Sequence, residues 1–248
     1  MEEKNTSNQT REFDVASYEE EHFKAVEFIE TLKPGRMLDL PSGSGRLSWL
    51  LSKKGHNVVA GDIKPHIFKN PEIPIVQMDL QGDLPFKDNS FEGLFCVEGP
   101  EHIENMYHAF REFARVLKTD GRVIVSLPNY SNIEARLRVL FYGIVEPVGG
   151  RGNIEQGSIE SRDLPHVNRP LYPMLKMALE YAGFSVEKVE TVNPKKKQMI
   201  LFPFYLAIAL FTMIKGKKGD KKYWLRDSNS FDILMGGNAL MVMAKVVK

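Results

Sequence analysis

The sequence predicts an α/β fold: a parallel sheet with helices on both faces. Two observations predict it. Short apolar runs alternate with stretches of helical periodicity, the pattern of strand–helix–strand units. A Gly-rich turn, Ser42-Gly43-Ser44-Gly45, joins the first apolar run to the first of its helices.

The elements follow in order. From Tyr18 to Lys33, Phe23, Val26, Ile29 and Leu32 recur at helical spacing, and Pro34-Gly35 ends that helix. Met37 to Leu40 reads as the first strand. Leu47, Leu50 and Leu51 mark a helix that ends near Gly55, and Asn57 to Gly61 a second strand closed by Asp62. Ile73 to Met78 and Gly93 to Val97 read as the third and fourth strands. Residues 103–118 read as a helix, with Ile103, Met106, Phe110, Phe113 and Leu117 on one face, and Arg122 to Leu127 as a fifth strand. A helix over 172–182, a strand over Ser185 to Val192 and a last strand over 239–247 complete the pattern. Residues 1–16 read as a flexible polar tail and 17–248 as a single domain. Two stretches interrupt the alternation, 129–170 and 193–237, and both are expected to cover the substrate side.

Composition bounds the function. The 248 residues are 43% hydrophobic and 26% charged, with a net charge of +1. Those fractions exclude a wholly disordered chain, a collagen or a multi-span membrane protein. A single cysteine, Cys96, excludes an intramolecular disulfide framework and fits a reducing compartment. The first ten residues lack an apolar stretch, so a secretory leader is not expected and a cytoplasmic location is. The charge is uneven. Residues 1–30 hold nine acids and three bases, whereas residues 194–226 hold nine Lys/Arg and one Asp. Such asymmetry points to a polyanionic or membrane partner.

The Gly turn is where a ligand belongs. Glycine permits close backbone approach and positive φ, and ligands of open parallel sheets sit beyond the carboxyl ends of the strands. Asp62, closing the second strand, is placed to accept both hydroxyls of a ribose. These two features fit any nucleoside cofactor, and Gly43-Ser44-Gly45-Arg46-Leu47-Ser48 is close to the dinucleotide fingerprint.

The wider run separates the possibilities. Met37-Leu38-Asp39-Leu40-Pro41-Ser42-Gly43-Ser44-Gly45 resembles the first motif, D/E-x-G-x-G-x-G, of class I S-adenosylmethionine-dependent methyltransferases. Val59-Ala60-Gly61-Asp62-Ile63 is similar to that family's second-strand acid, and Asp79-Leu80 to its adenine-flanking pair. Leu84-Pro85-Phe86-Lys87-Asp88-Asn89-Ser90-Phe91-Glu92 resembles L-P-F-x-D-x-S-F-D. Residues 111–122 resemble R-E-x-x-R-V-L-K-P-G-G-x. The resemblance spans residues 17–192 and the last strand. It implies a Rossmann-like seven-stranded mixed sheet whose last strand runs antiparallel, and S-adenosyl-L-methionine as cofactor. It also implies roles. Asp39 would anchor the methionine amino group. Gly43 and Gly45, with Ser42, would approach the methionine portion and the sugar. Asp62 would hold the ribose, Ile63 and Leu80 would flank the adenine, and Asp79 would accept from its amino group. Tyr18 would close over the carboxylate. One departure stands out: Pro41 replaces the motif's first Gly, fixing φ and removing an N–H.

The acceptor half is less legible. Methyl transfer from a sulfonium relies mainly on alignment, worth about 7–11 kcal/mol in favourable systems. A base is needed only when the acceptor holds its proton. Glu98-Gly99-Pro100-Glu101-His102 resembles the E-x-x-E-H of ubiquinone-type O-methyltransferases and small-RNA 2′-O-methyltransferases. Glu98 would border the cofactor, and His102 and His166 are the candidate catalytic groups. Glu98, Glu101 and His102 also form a possible metal-ligand set, although Glu101-His102-Ile103 equally well opens the next helix. Residues 129–132, His166, Arg169 and Tyr172 are expected to line the acceptor pocket. The resemblance implies transfer to a small or lipid-like acceptor, with oxygen favoured. The alternatives are an RNA 2′-O-methyltransferase and a non-catalytic cofactor-binding or membrane-associated protein.

The second interruption has its own character. Met199 to Ile214 is a 16-residue apolar run broken by Pro203 and flanked by lysines on both sides. A bilayer span wants about 20 residues. Three readings stay open: a helix buried against the sheet or a dimer partner, a wall of the acceptor pocket, or peripheral membrane contact through 195–226. A nucleic-acid partner is disfavoured, because the lysines flank aliphatic residues rather than exposed aromatics.

Overall fold

The computed structural model describes residues 19–27, 34–146, 166–192 and 196–247. Seven strands form one sheet: β1 (Arg36–Asp39), β2 (Asn57–Asp62), β3 (Ile75–Gln77), β4 (Phe91–Val97), β5 (Leu117–Pro128), β6 (Phe184–Val192) and β7 (Ala239–Val246). The spatial order is β3-β2-β1-β4-β5-β7-β6. β1 to β5 pair in parallel, while β7 runs antiparallel to both β5 and β6. The expected reversed last strand is therefore present, wedged between β5 and β6.

Strand parity sorts the core into two layers. Leu38, Val59, Leu94, Val125 and Val242 point to one face, where α3 (Met106–Val116) and α5 (Tyr172–Tyr181) cover them with Phe110, Phe113, Leu175 and Leu179. Met37, Val58, Ala60, Phe95 and Met241 point to the other, where α1 (Glu19–Glu27) and α2 (Arg46–Lys53) supply Ala25, Val26, Leu47 and Leu51. Asp39 and Asp62 share parity with Met37, Val58 and Ala60. Both acids therefore lie on the α2 face, at the carboxyl ends of β1 and β2.

Three expectations change. The helix predicted over 103–118 begins only at Met106, capped by the Asn105 side chain accepting from the His108 N–H. Glu101 and His102 sit instead in a separate 3₁₀ turn, Pro100–His102, so they do not open α3. The third strand shrinks from Ile73–Met78 to Ile75–Gln77, because β3 is an edge strand with one partner. The first interruption contains a helix, α4 (Ile133–Tyr142), capped by Asn132 at its start and by Gly143 at φ 71° at its end. The expected flexible tail over 1–16 lies outside the described residues.

The second interruption is helical throughout its described part: a 3₁₀ turn over Lys196–Leu201, α6 (Phe202–Tyr223), α7 (Leu225–Ser228) and α8 (Phe231–Leu234). α6 breaks its helical geometry at Gly216, whose φ of 51° and ψ of −148° kink the rod. Leu201, Phe202, Tyr205 and Ile208 pack on Ile133, Leu137, Leu234 and Met235. A burial of the whole apolar run against the sheet is not what forms: Met199, Ile200, Phe204, Leu206, Leu210, Phe211, Met213 and Ile214 are all exposed.

Candidate functional site

The Gly turn runs from β1 to α2 across the carboxyl edge of the sheet. The Leu40–Pro41 bond is cis. With no N–H at Pro41, the turn is held by its neighbours: the Ser42 N–H donates to the Gly61 carbonyl at 2.8 Å and the Gly45 N–H to the Ser42 carbonyl at 2.8 Å. The two glycines have different reasons to be glycine. Gly43 has φ 51°, and a Cβ there would meet no atom of the described residues within 4 Å. Gly45, at φ 88°, backs onto protein, and a Cβ would come within 2.5 Å of the Phe68 ring and 2.6 Å of Asn70 Nδ2. Asn70 also donates to the Gly45 carbonyl at 2.7 Å. Gly43 thus leaves its side of the turn uncrowded among the described residues, while Gly45 keeps its own side packed.

The acids behave as anchors. Asp62 is buried, and its two oxygens accept from the Gly43 N–H and the Lys64 N–H, each at 2.8 Å. Each carboxylate oxygen keeps a further lone pair for a ligand hydroxyl. Asp39 is buried beside it and accepts from the Ser48 hydroxyl at 2.6 Å. Burial is the largest cause that pushes the Asp39 carboxyl up, to about 7; the Ser48 bonds oppose it and the nearby Asp62 charge adds to it. Ser42 Oγ is buried in the same turn with no hydrogen-bond partner among the described residues. Among the described residues, the uncrowded turn at Gly43, the buried Ser42 hydroxyl without a partner and the buried Asp39 carboxyl form a set that fits the amino-acid and ribose ends of a nucleoside sulfonium. Asp79 is exposed and caps its own turn through the Gln81 N–H at 2.9 Å, whereas Leu80 is buried and Ile63 half-buried. Tyr18 lies outside the described residues.

The second half of the site lies at the ends of β4 and β5. Glu98 follows β4 with φ 51°, a left-handed conformation rare for a residue with a Cβ. Its carboxylate accepts from the Ser126 hydroxyl at 2.8 Å. Burial pushes Glu98 above the usual carboxylate range, opposed by Ser126, by a hydrogen bond shared with Glu101 and by His166. The His102 and His166 rings meet edge to face with centroids 5.0 Å apart. His166 Nδ1 lies 3.1 Å from both the Glu146 carboxylate and the Tyr130 hydroxyl, and Arg169 donates to the same Glu146 oxygen at 3.2 Å. The Asn168 N–H donates to the Glu101 carbonyl, pinning this returning strand of chain beside the 3₁₀ turn. Glu101, His102 and His166 each offer a ligand atom, and these atoms all lie within 4.8 Å of one another. The converging triad thus contains His166 where the sequence suggested Glu98.

Several expected pocket residues turn out to be structural. Asn129 donates to the Ile233 carbonyl and accepts from the Ser131 N–H. Ser131 Oγ accepts from the Tyr172 N–H, Asn132 caps α4, and Tyr172 is buried in the core. Tyr130, His166 and Arg169 do gather at the site. Sequence reasoning missed Glu146, Ser126 and Ser48. Glu146 lies in a stretch with no periodicity, and the two serines belong to otherwise ordinary element patterns.

Comparison with known proteins bears on this geometry. The family described as a methyltransferase domain matches residues 38–125, the stretch from β1 through most of β5. Residues 38–125 are a methyltransferase domain. The methyltransferase is 28% identical over 179 residues to a demethylmenaquinone methyltransferase of Thermus thermophilus, covering 66% of this chain and 80% of that one. It is 28% identical over 107 residues to a ubiquinone biosynthesis O-methyltransferase of Xanthomonas oryzae, covering 40% and 45%. The chain spans less than half the length of several curated relatives it matches. In fold, the methyltransferase resembles a SAM-dependent methyltransferase of Archaeoglobus fulgidus with a TM-score of 0.58, at 18% identity over 92% of this chain and 94% of that one. S-adenosylmethionine is the cofactor of the family, and the Asp39, Ser42, Gly43 and Asp62 cradle fits it.

Proposed function

We propose that this methyltransferase moves the methyl group of S-adenosylmethionine to a hydroxyl oxygen of a small, largely apolar molecule. The observation that carries the reading is the cluster of Glu98, Glu101, His102, His166 and Tyr130 at the ends of β4 and β5, beside the cradle. When bound, the cofactor supplies an activated methyl group. The chain's own residues do the rest. Asp39 and Ser42 hold the amino-acid end and Asp62 the ribose. The imidazole of His102 or His166 takes the acceptor's hydroxyl proton as the oxygen becomes nucleophilic. Glu146 orients His166, and Arg169 and Tyr130 fix Glu146 in turn.

An apolar acceptor is supported by the names of the relatives, which refer to demethylmenaquinone and ubiquinone biosynthesis. A second reading follows from the 4.8 Å convergence of Glu101, His102 and His166. That oxygen and nitrogen set suits a divalent cation, which would orient the hydroxyl instead of deprotonating it through histidine. One experiment tests both. Purified protein is incubated with methyl-labelled S-adenosylmethionine and a panel of hydroxylated quinols, simple phenols and short RNAs, with and without chelator. Label in a quinol or phenol supports the proposal, and its loss on chelation favours the metal reading. Label entering RNA alone, or entering nothing while the cofactor binds, overturns it.

A further inference from the structure

The described segment Lys197–Tyr223 is long and apolar enough to cross a membrane by length and composition, yet none of its apolar window is buried. Its faces are sharply divided. Leu201, Phe202, Tyr205 and Ile208, spaced one, three and three apart, pack on α4 and α8. Thr212 continues that side and accepts from the Asn229 amide at 2.8 Å. The opposite side carries Phe204, Leu206, Leu210, Phe211, Met213 and Ile214, all exposed, with no charged residue between Lys197 and Lys215. Ile200 is 82% exposed, Met213 77% and Ile214 74%. The end of α4 is apolar and exposed as well: Leu140, Phe141 and Tyr142 are each more than 70% exposed. An exposed apolar helix side of this kind marks an interaction site.

We infer that this face docks the protein on an anionic lipid bilayer, lying in the interface rather than crossing it. Charge complementarity selects the occupant. Directly after the apolar face, Lys215, Lys217, Lys218, Lys221 and Lys222 are all exposed. The single acid among them, Asp220, is occupied by the Arg226 backbone N–H at 2.9 Å. The helix kinks at Gly216, so residues 217–222 leave the axis of the apolar rod. Apolar side chains entering the acyl boundary beside lysines at headgroup phosphates are what an interfacial helix needs. Crossing is disfavoured because one side of α6 is committed to the protein. The straight part, Phe202 to Lys215, is also only ~21 Å long, against ~30 Å of hydrocarbon core. Four residues separate the end of β5 from the start of α4, so the platform is built off the carboxyl edge of the sheet. That placement gives a lipid-soluble acceptor a short route to the cluster around His166. The docking itself does not depend on the transferase reading.

Flotation of the full chain with vesicles tests it. Phosphatidylcholine vesicles containing phosphatidylglycerol should carry the protein, pure phosphatidylcholine vesicles should carry far less, and added salt should release it. Replacing Lys217, Lys218, Lys221 and Lys222 with Gln should lower partitioning by at least about tenfold. The triple variant Leu210→Ser, Phe211→Ser, Met213→Ser should abolish it even at low salt. Circular dichroism melts confirm that both variants stay folded. A folded wild-type protein that remains with the unbound fraction overturns the proposal. So does binding that the lysine variant leaves unchanged, or a dimer that the triple variant dissolves while vesicles bind nothing.

Discussion

Asp39 and Asp62 are adjacent acids on one sheet face with different jobs. Asp62 spends its buried charge on two backbone N–H groups and so shapes the Gly turn. Asp39 has one hydroxyl partner and is pushed up to about 7 by burial. Between the ordinary carboxyl value of 3.8 and 7, the folded protein holds a proton there that the unfolded chain has released. The sign follows: this contribution to stability is full below the unfolded value, declines as pH rises toward 7, and is lost above it. Asp39→Asn should flatten that slope in thermal melts. If Asp39 receives the cofactor's ammonium, binding requires the carboxylate. Affinity should then fall by up to about tenfold per pH unit below about pH 7 and level off above. Calorimetric titration with the demethylated cofactor across that range checks it, and a flat profile removes Asp39 from the ammonium site. Asp62→Ala should weaken the same binding by about 1.5–3 kcal/mol through lost charge-assisted hydrogen bonds.

Arg115 on α3 explains why two separated sequence motifs belong together. Its guanidinium donates to the Leu84 carbonyl at 2.9 Å, the Phe86 carbonyl at 2.7 Å, Asp88 at 2.9 Å and Glu112 at 2.6 Å. The Leu84 N–H in turn donates to Glu112, and the backbone N–H groups of Asn89 and Ser90 reach the carbonyls of Arg115 and Val116. The 84–91 segment and the end of α3 are thus one hydrogen-bonded clasp bordering β4. Arg115→Ala should cost about 1.5–3 kcal/mol, read as a lower denaturant midpoint, because two carbonyls and Glu112 lose a charged donor. Arg115→Lys should recover only part of it, since a point ammonium cannot span the fork. At this scale the sequence was informative wherever chemistry is local. Gly, Asp and Pro at strand ends, and helical periodicity within α2 and α3, were legible. The start of α3 was not, since Asn105 outcompetes the earlier Glu101 as a cap and leaves residues 100–102 as a separate turn. The roles of Asn129, Ser131 and Tyr172 depend on partners 40 or more residues away, in part on Ile233 and Tyr172. No local pattern carries such pairings.

Across the whole molecule, the near-zero net charge conceals a division of labour. The parallel half of the sheet and its two helical layers carry the cofactor cradle. The two interruptions carry α4, the returning segment at His166, and α6 with its exposed apolar side and lysine-rich end. The seven-stranded mixed sheet and its reversed last strand were readable from the alternation and the family resemblance together, whereas the strand order came from the structure. The state of residues 199–214 was not, because a one-sided pattern and a uniformly apolar one look alike when both faces are hydrophobic. Only the packing of Leu201, Phe202, Tyr205 and Ile208 separates them. Replacing Leu210 with Ser should leave thermal stability within about 0.5 kcal/mol of wild type, as expected for an exposed site. A core helix would lose several times more.

The most direct test of the central claim is calorimetric titration of the intact protein with S-adenosylmethionine and its demethylated product, alongside Asp62→Ala. The cradle at Asp39, Ser42, Gly43 and Asp62 predicts one site per chain for both ligands, weakened by roughly tenfold or more in the variant. Absence of heat with both ligands for a folded wild-type protein would contradict it, as would an affinity that Asp62→Ala leaves unchanged.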